Sequence, residues 1–289
     1  MLVQITNHCN NNCRHCLQGS FDCNDTDMSE ALFDNVLILH KKLGCKTMII
    51  SGGEPTLHPE WKSFVHKACA EIPAVVLATN GNWLLKSPKD EPLFFPVLRG
   101  MLVMHQNLSI QVTNVQKFYP KHNEIRSAFD EFKHQCEITI SKKTAERLQF
   151  ADQIEAMVSL GRAACDDECL KMAAANKRKM TFCFSAALVS AQTDLPTAIS
   201  VLEGQLKLCH PLIDYEGRMH WSESCGCPYF FTIPEHLKID DAMVNDICEA
   251  AHNWRPCGQC ADYKKLLENN YPKYVLAKHI LGIPQSEED

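Results

Sequence analysis

Three cysteines stand within eight residues near the N-terminus, in Cys9-Asn10-Asn11-Asn12-Cys13-Arg14-His15-Cys16, spaced Cys-x3-Cys-x2-Cys. A short apolar run, Leu2-Val3-Gln4-Ile5-Thr6, precedes them and reads as a strand. Cysteine thiolates hold iron–sulfur clusters, and a [4Fe–4S] cubane takes four ligands. This loop supplies Cys9, Cys13 and Cys16, which leaves one iron open to a small molecule. A zinc loop with short cysteine spacing is the alternative reading of the same residues.

A second motif separates the two readings. Ser51-Gly52-Gly53-Glu54-Pro55 follows Lys46-Thr47-Met48-Ile49-Ile50, another apolar run with strand character. Paired glycines after a buried strand let the backbone approach a ligand closely. The amides and carbonyls of such a turn, with the Glu54 carboxylate, suit a ligand carrying an α-ammonium group. In isolation the motif reads as an ordinary strand-to-helix turn. Its position, one strand after the cysteine loop, gives it weight.

Together the cysteine loop and the Gly-Gly-Glu-Pro turn resemble the radical S-adenosylmethionine (radical SAM) superfamily. The resemblance implies a cluster on Cys9, Cys13 and Cys16, with S-adenosylmethionine chelating the open iron through its amino and carboxylate groups. It implies reductive cleavage to a 5′-deoxyadenosyl radical, which abstracts a hydrogen atom from the substrate. Gly52, Gly53 and Glu54 then match the segment that grips the methionyl amino group. A flavodoxin- or ferredoxin-type electron donor is the implied partner. His15 falls where the family places an aromatic beside the cluster.

The elements that must position these residues follow in order. Asp27-Met28-Ser29-Glu30 opens a helix that Gly44 ends. His58-Pro59-Glu60-Trp61 starts a second helix, running to about Glu71. Ala74-Val75-Val76-Leu77-Ala78 reads as a third strand, ending in the polar turn Thr79-Asn80-Gly81. A helical piece near 94–101, a fourth strand over Leu108-Ser109-Ile110-Gln111-Val112 and a helix over 122–134 come next. Cys136-Glu137-Ile138-Thr139-Ile140 reads as a fifth strand and Ile154-Glu155-Ala156-Met157-Val158 as a sixth. Strands alternating with helices predict parallel pairing with right-handed crossovers. The fold class expected is α/β, a partial (βα)6 barrel with parallel strands, which resembles the family's open barrel. Such folds carry their sites at the carboxyl ends of the strands, so the two motifs and Asn80 should converge. Ser109, Gln111 and Thr113 alternate onto one face of the fourth strand. Ser109 and Gln111 are candidate cofactor contacts, with a polar lining of the lumen as the alternative.

The chain has 289 residues, room for a large domain and a smaller one. We expect a radical SAM barrel over 1–160 and a smaller α+β cysteine-rich domain over 161–289. Hydrophobic content of 45% and charged content of 22% are ordinary for a soluble globular protein. No run is long enough to span a membrane, and no targeting leader precedes the first strand. A net charge of −6 argues against a nucleic-acid backbone as the main partner. Sixteen cysteines without a secretion signal fit a reducing cytoplasm with metal–sulfur chemistry. Cys45, Cys69, Cys136 and Cys183 lie in or beside apolar runs and read as small buried side chains.

The C-terminal part carries the remaining pattern. Cys209 leads into two alternating runs joined at Glu216-Gly217, which predicts a hairpin. Cys225-Gly226-Cys227 follows, and later Cys257-Gly258-Gln259-Cys260. This arrangement resembles the SPASM and shortened "twitch" extensions of radical SAM enzymes. By that resemblance Cys209, one of Cys225 and Cys227, and the pair Cys257 and Cys260 hold an auxiliary [4Fe–4S] cluster. A structural zinc on the same thiolates is the alternative. Members with such extensions often modify peptides, so a peptide is the first expected substrate and a small molecule in cofactor or nucleoside biosynthesis the second. The rival from another class is a non-catalytic zinc-bound scaffold, which explains the cysteines but not the glycine turn.

Overall fold

The computed structural model describes residues 1–16, 19–20, 26–85, 94–119, 121–152, 167, 171, 212–220 and 229–253. Five strands follow one another in parallel: β1 (Leu2–Gln4), β2 (Thr47–Ser51), β3 (Ala74–Thr79), β4 (Leu108–Thr113) and β5 (Leu148–Ala151). Parallel neighbours need long crossovers. Here these contain α1 (Glu30–Lys42), α2 (Trp61–Glu71), α3 (Phe94–Met104), α4 (His122–Thr139) and the short α5 (Lys142–Ala145). This is the expected α/β architecture, a mostly parallel sheet of the partial-barrel kind.

The sheet also extends past β1 on its other side. There β6 (Leu212–Ile213) pairs in parallel with β1, and β7 (Arg218–His220) and β8 (Tyr229–Thr232) add antiparallel. The strand order is β5-β4-β3-β2-β1-β6-β7-β8. The last described helix, α6 (Asp241–Asn253), follows β8. The hairpin expected at Glu216-Gly217 is present, with Gly217 at φ 78° in the turn.

Alternation assigns the two faces of the sheet. Val3, Ile5, Met48, Ile50, Val75, Leu77, Ile110 and Val112 are buried in one apolar cluster with Phe33, Val36, Phe64, Val65, Leu98 and Leu102 from the helices. Full burial of such side chains stabilises by about 1.5–3 kcal/mol each. Phe33 and Phe64 join α1 to α2 with stacked rings 4.2 Å apart. The other face carries Leu2, Gln4, Ser51, Ala78 and Thr113, and these line a pocket. Local signals set the helix ends. The Ser29 hydroxyl accepts the Leu32 N–H at 3.1 Å at the start of α1, and Gly44 lies just past its end at φ 66°.

One expected strand is replaced. Cys136-Glu137-Ile138-Thr139-Ile140 is not a fifth strand, because α4 runs on to Thr139. Ile125, Phe129, Phe132 and Cys136 recur at helical spacing and are buried, whereas Ile138 is 62% exposed. A few alternating apolar residues fit either period, and the longer helical pattern wins. Ser141 caps α5 by accepting the Thr144 N–H at 3.1 Å. The true fifth strand is β5, and Arg147 anchors its start. Its guanidinium donates to the carbonyls of Leu102, His105 and Leu108 at 2.6, 2.7 and 2.8 Å. The sixth strand expected over 154–158 lies outside the described residues. Cys45, Cys69 and Cys136 are buried.

Candidate functional site

The loops that follow β1, β2, β3 and β4 meet at one end of the sheet. The glycine turn after β2 clasps the segment leading into the cysteines. Gly53 N–H donates to Thr6 O, and Glu54 N–H to His8 O, both at 2.8 Å. A Cβ on Gly53 would stand 2.3 Å from His8 O, and one on Gly52 would stand 2.7 Å from Thr6 O. The close approach that requires these glycines is therefore backbone to backbone. They bring the cysteine loop against the turn, and both also line the pocket.

Glu54 is buried, and its carboxylate is occupied by protein donors. One oxygen accepts Thr56 N–H at 3.2 Å, the Thr56 hydroxyl at 2.6 Å and the Thr79 hydroxyl at 2.7 Å. The other accepts Asn80 N–H at 2.7 Å. Burial pushes the Glu54 carboxyl up, against the lowering effect of the Thr56, Asn80 and Thr79 hydrogen bonds. Glu54 is not among the residues lining the pocket. Its geometry ties the glycine turn to the turn after β3.

Asn80 carries that tie to the cysteine loop. Its side-chain amide donates to Asn10 Oδ1 at 2.8 Å and reaches Cys9 Sγ at 4.0 Å. Asn82 donates to Asn10 and Asn11 at 3.1 and 2.7 Å. Asn114, past β4, donates to Asn80 O at 3.1 Å and pairs with His122. The asparagines between the cysteines are thus the grip that holds the loop.

Cys9 is buried, while Cys13 and Cys16 are half-buried, and all three are free thiols. Among the described residues no three His, Cys, Asp or Glu side chains are grouped to hold a single metal ion as they stand. The cysteines are nonetheless close enough to act on one another. Burial pushes the Cys9 thiol up to about 12, with Glu54, Cys13 and Cys16 adding to the rise. Donors reach the Cys9 sulfur. Asn11 N–H donates to Cys9 Sγ at 3.4 Å, and the Asn80 side-chain amide reaches the same sulfur at 4.0 Å. The Asn11 side-chain nitrogen is buried without a hydrogen-bond partner. Three cysteines on one loop, with N–H donors at the Cys9 sulfur, suit an anionic iron–sulfur cluster, whose sulfurs take such bonds.

The pocket beside this loop has a volume of about 260 Å³. His15 and Cys16 form one wall, Ser51, Gly52 and Gly53 a second, and Ala78, Thr79 and Asn80 a third, with Thr113 and Tyr119 behind. Cys16, Gly52, Gly53 and Asn80 are thus brought together. Ser109 and Gln111 do not line it. They share the Thr113 face of β4, and Gln111 lies beside the pocket residue Ala78 in the register. At about 3.3 Å per residue, Gln111 lies about 7 Å and Ser109 about 13 Å along the strand from Thr113. Cys209, Cys225, Cys227, Cys257 and Cys260 lie outside the described residues.

The residues missed by sequence reasoning come from the loop after β4. Phe118 stacks on His15 with centroids 4.4 Å apart, and Arg14 lies over the Phe118 ring at 5.8 Å. Tyr119 meets His15 from another side at 5.6 Å. No local motif marks this stretch. Its position after a parallel strand was the available signal.

Cysteines and a glycine turn at the carboxyl ends of parallel strands place this site among the βα loops, where α/β folds build their sites. Residues 3–132 match the Radical SAM superfamily model. The chain is 39% identical over 95 residues to GTP 3′,8-cyclase of Helicobacter pylori (strain HPAG1), covering 30% of this chain and 29% of that protein. The match thus spans less than a third of its curated relative's length. Among solved structures, BtrN in complex with AdoMet and 2-DOIA shares the fold, with a TM-score of 0.51 and 15% identity over 93% of this chain and 87% of that one. Streptococcus suis SuiB bound to S-adenosylmethionine is similar at a TM-score of 0.42, with 9% identity over 86% and 64% of the two chains.

Proposed function

We propose that this chain reductively cleaves S-adenosylmethionine and uses the 5′-deoxyadenosyl radical to take a hydrogen atom from a substrate. The observation that carries the proposal is the meeting of Cys16, from the cysteine loop, with Ser51, Gly52 and Gly53 on one pocket. Cys9, Cys13 and Cys16 would hold the [4Fe–4S] cluster, which when bound supplies the electron for cleavage. Gly52 and Gly53 offer the methionyl end of S-adenosylmethionine a wall without side chains. Asn80 and Thr113 offer it polar groups. Glu54 acts one step back, by holding Thr79 and Asn80 in place. Gln111 and Ser109, lower on the same face, suit the lumen beyond the cofactor.

The same reading divides the chain into a barrel over 1–160 and a cysteine-rich part over 161–289. It assigns an auxiliary [4Fe–4S] cluster to Cys209, Cys225 or Cys227, Cys257 and Cys260. Cys209 precedes Leu212 by three residues, Cys225 follows His220 by five, and Leu212 faces His220 across the hairpin. The electron donor is a flavodoxin- or ferredoxin-type protein, and the compartment is the cytoplasm. Among the described residues no helix is long and apolar enough to cross a membrane. The substrate is a peptide, on the strength of the cysteine pattern. A small molecule is the second reading, favoured by the likeness to a GTP cyclase.

The test is anaerobic reconstitution, reduction and measurement of 5′-deoxyadenosine. The parent protein should form it and Cys13→Ala should not, because two cysteines cannot hold the cubane. A parent protein that loads iron but leaves S-adenosylmethionine intact overturns the proposal. Stimulation of 5′-deoxyadenosine release by a nucleotide panel, and not by peptides, overturns the peptide reading alone.

A further inference from the structure

The end of the sheet away from the cysteine loop carries a second meeting of ligating side chains. His66 lies in the middle of α2, and His105 lies just past α3, three residues before β4 begins. His66 Nδ1 and His105 Nε2 face each other at 2.6 Å. The rings cross at 64° with centroids 4.8 Å apart, so they meet edge-on rather than stacked. Both residues are half-buried, so solvent reaches the pair.

Both backbones are held in place. Helix α2 fixes His66 through its buried neighbours Phe64, Val65 and Ala68. His105 N–H donates to Met101 O at 2.9 Å, and His105 O accepts Leu108 N–H at 3.2 Å and the Arg147 guanidinium at 2.7 Å. The Asn107 side chain donates to the carbonyls of Cys69 and Ile72 at 2.8 and 2.7 Å, which fastens the α3–β4 connection to the end of α2. Ligands on such held elements are in position before anything binds.

Neutral imidazole suits zinc, copper and nickel. Metal–nitrogen bonds of about 2.0–2.1 Å put two nitrogens on one ion about 2.9–3.4 Å apart, so this pair need part by less than about 1 Å. Among the described residues no third His, Cys, Asp or Glu completes the group, so water takes the remaining positions. The Arg147 charge beside His105 repels a cation and makes the site exchangeable rather than permanent.

We propose that His66 and His105 form a two-imidazole site for a divalent transition-metal ion, zinc, nickel or copper, which clips α2 to the start of β4. The site lies at the amino ends of the strands and takes no part in cleavage of S-adenosylmethionine. It stands or falls separately from that reading.

The experiment is thermal unfolding of the anaerobically reconstituted full chain with and without Ni2+, for the parent, His66→Asn, His105→Asn and the double variant. Each protein is referred to its own nickel-free melt, so a lost imidazole contact drops out, and nickel held by cysteines is common to all four. Binding to the folded pair raises the melting temperature of the parent. Both single variants and the double should lose the same part of that rise, because one imidazole does not chelate. The nickel concentration that gives the parent's rise should increase at least about tenfold in each. Equal rises in all four proteins, or none, overturn the proposal and leave an imidazole-to-imidazole hydrogen bond. Losses that add between the single variants overturn it too, because they mean two separate sites. A second reading needs no variant. Ni2+ should protect His66 and His105 together from diethyl pyrocarbonate, read by peptide mass spectrometry, while the exposed His236 stays reactive. Full modification of His66 and His105 in the presence of Ni2+ overturns the proposal.

Discussion

The Glu54 carboxylate accepts the Asn80 backbone N–H at 2.7 Å and so joins two turns 26 residues apart in the chain. The same carboxylate holds the Thr79 hydroxyl, and Asn80 in turn holds Asn10 between the cysteines. One buried acid thus fixes the turn after β3, and through it the cysteine loop. The contacts of Glu54 with Thr56, Thr79 and Asn80 are what make this tie.

Glu54→Ala should leave the donors of Asn80, Thr79 and Thr56 buried without their acceptor. Each unsatisfied group costs about 1–3 kcal/mol, so a loss of at least about 3 kcal/mol is expected in denaturant unfolding. Glu54→Gln, which still offers one oxygen, should lose less. Burial raises the carboxyl above the ordinary glutamate range, so the folded state holds this proton more tightly than the unfolded chain. The stability tied to that proton is complete below the ordinary range and declines as pH rises through the raised value. An alanine variant as stable as the parent would show that the tie carries no energy.

Gly53→Ala places a methyl 2.3 Å from His8 O, one residue before Cys9. The backbone must move, at a cost of about 1–3 kcal/mol, and the displaced loop should take up iron poorly. Gly100, inside α3, has nothing within 4 Å of an added Cβ. Gly100→Ala should therefore stabilise by about 0.5–1 kcal/mol through helix propensity. Thermal melts with iron analysis separate the two, and normal iron uptake by Gly53→Ala contradicts the clasp.

Asp214 sits at the base of the β6–β7 turn and accepts from His220 at 3.1 Å and from Arg218 at 2.7 Å. Burial pushes its carboxyl up, but the His220 and Arg218 hydrogen bonds outweigh burial and hold it below the usual range. Its contribution is present above about pH 3.9 and is lost as pH falls through the depressed value. Asp214→Asn should cost about 2 kcal/mol at neutral pH and flatten the acid limb of the stability curve. Parallel curves for parent and variant down to low pH would refute this account.

The auxiliary site is tested by removing the first one. A Cys9→Ala, Cys13→Ala, Cys16→Ala protein should still bind about four irons with sulfide-to-iron absorption. Further replacement of Cys257 and Cys260 should remove them, and should weaken the fold, because metal binding is coupled to folding. Zinc in place of iron would make the second site structural and withdraw the main support for a peptide substrate.

Much was legible in order along the chain. The cysteine spacing, the glycine turn, the capping Ser29 and the alternation in β2, β3 and β4 are local patterns, each readable from a few neighbouring residues. They determined the α/β class and the end of the sheet where the motifs meet. The tertiary structure decided what no window of sequence contains. It extended α4 through Cys136 because a buried face at helical spacing outlasts a few alternating residues. It set β6 against β1, joining strands far apart in the chain. It set Glu54 against Thr56, Thr79 and Asn80, and brought Tyr119 against His15. Burial and pairing of polar groups are properties of the folded surroundings, and a carboxylate or phenol acquires its role only from the donors, acceptors and water exclusion that packing brings to it.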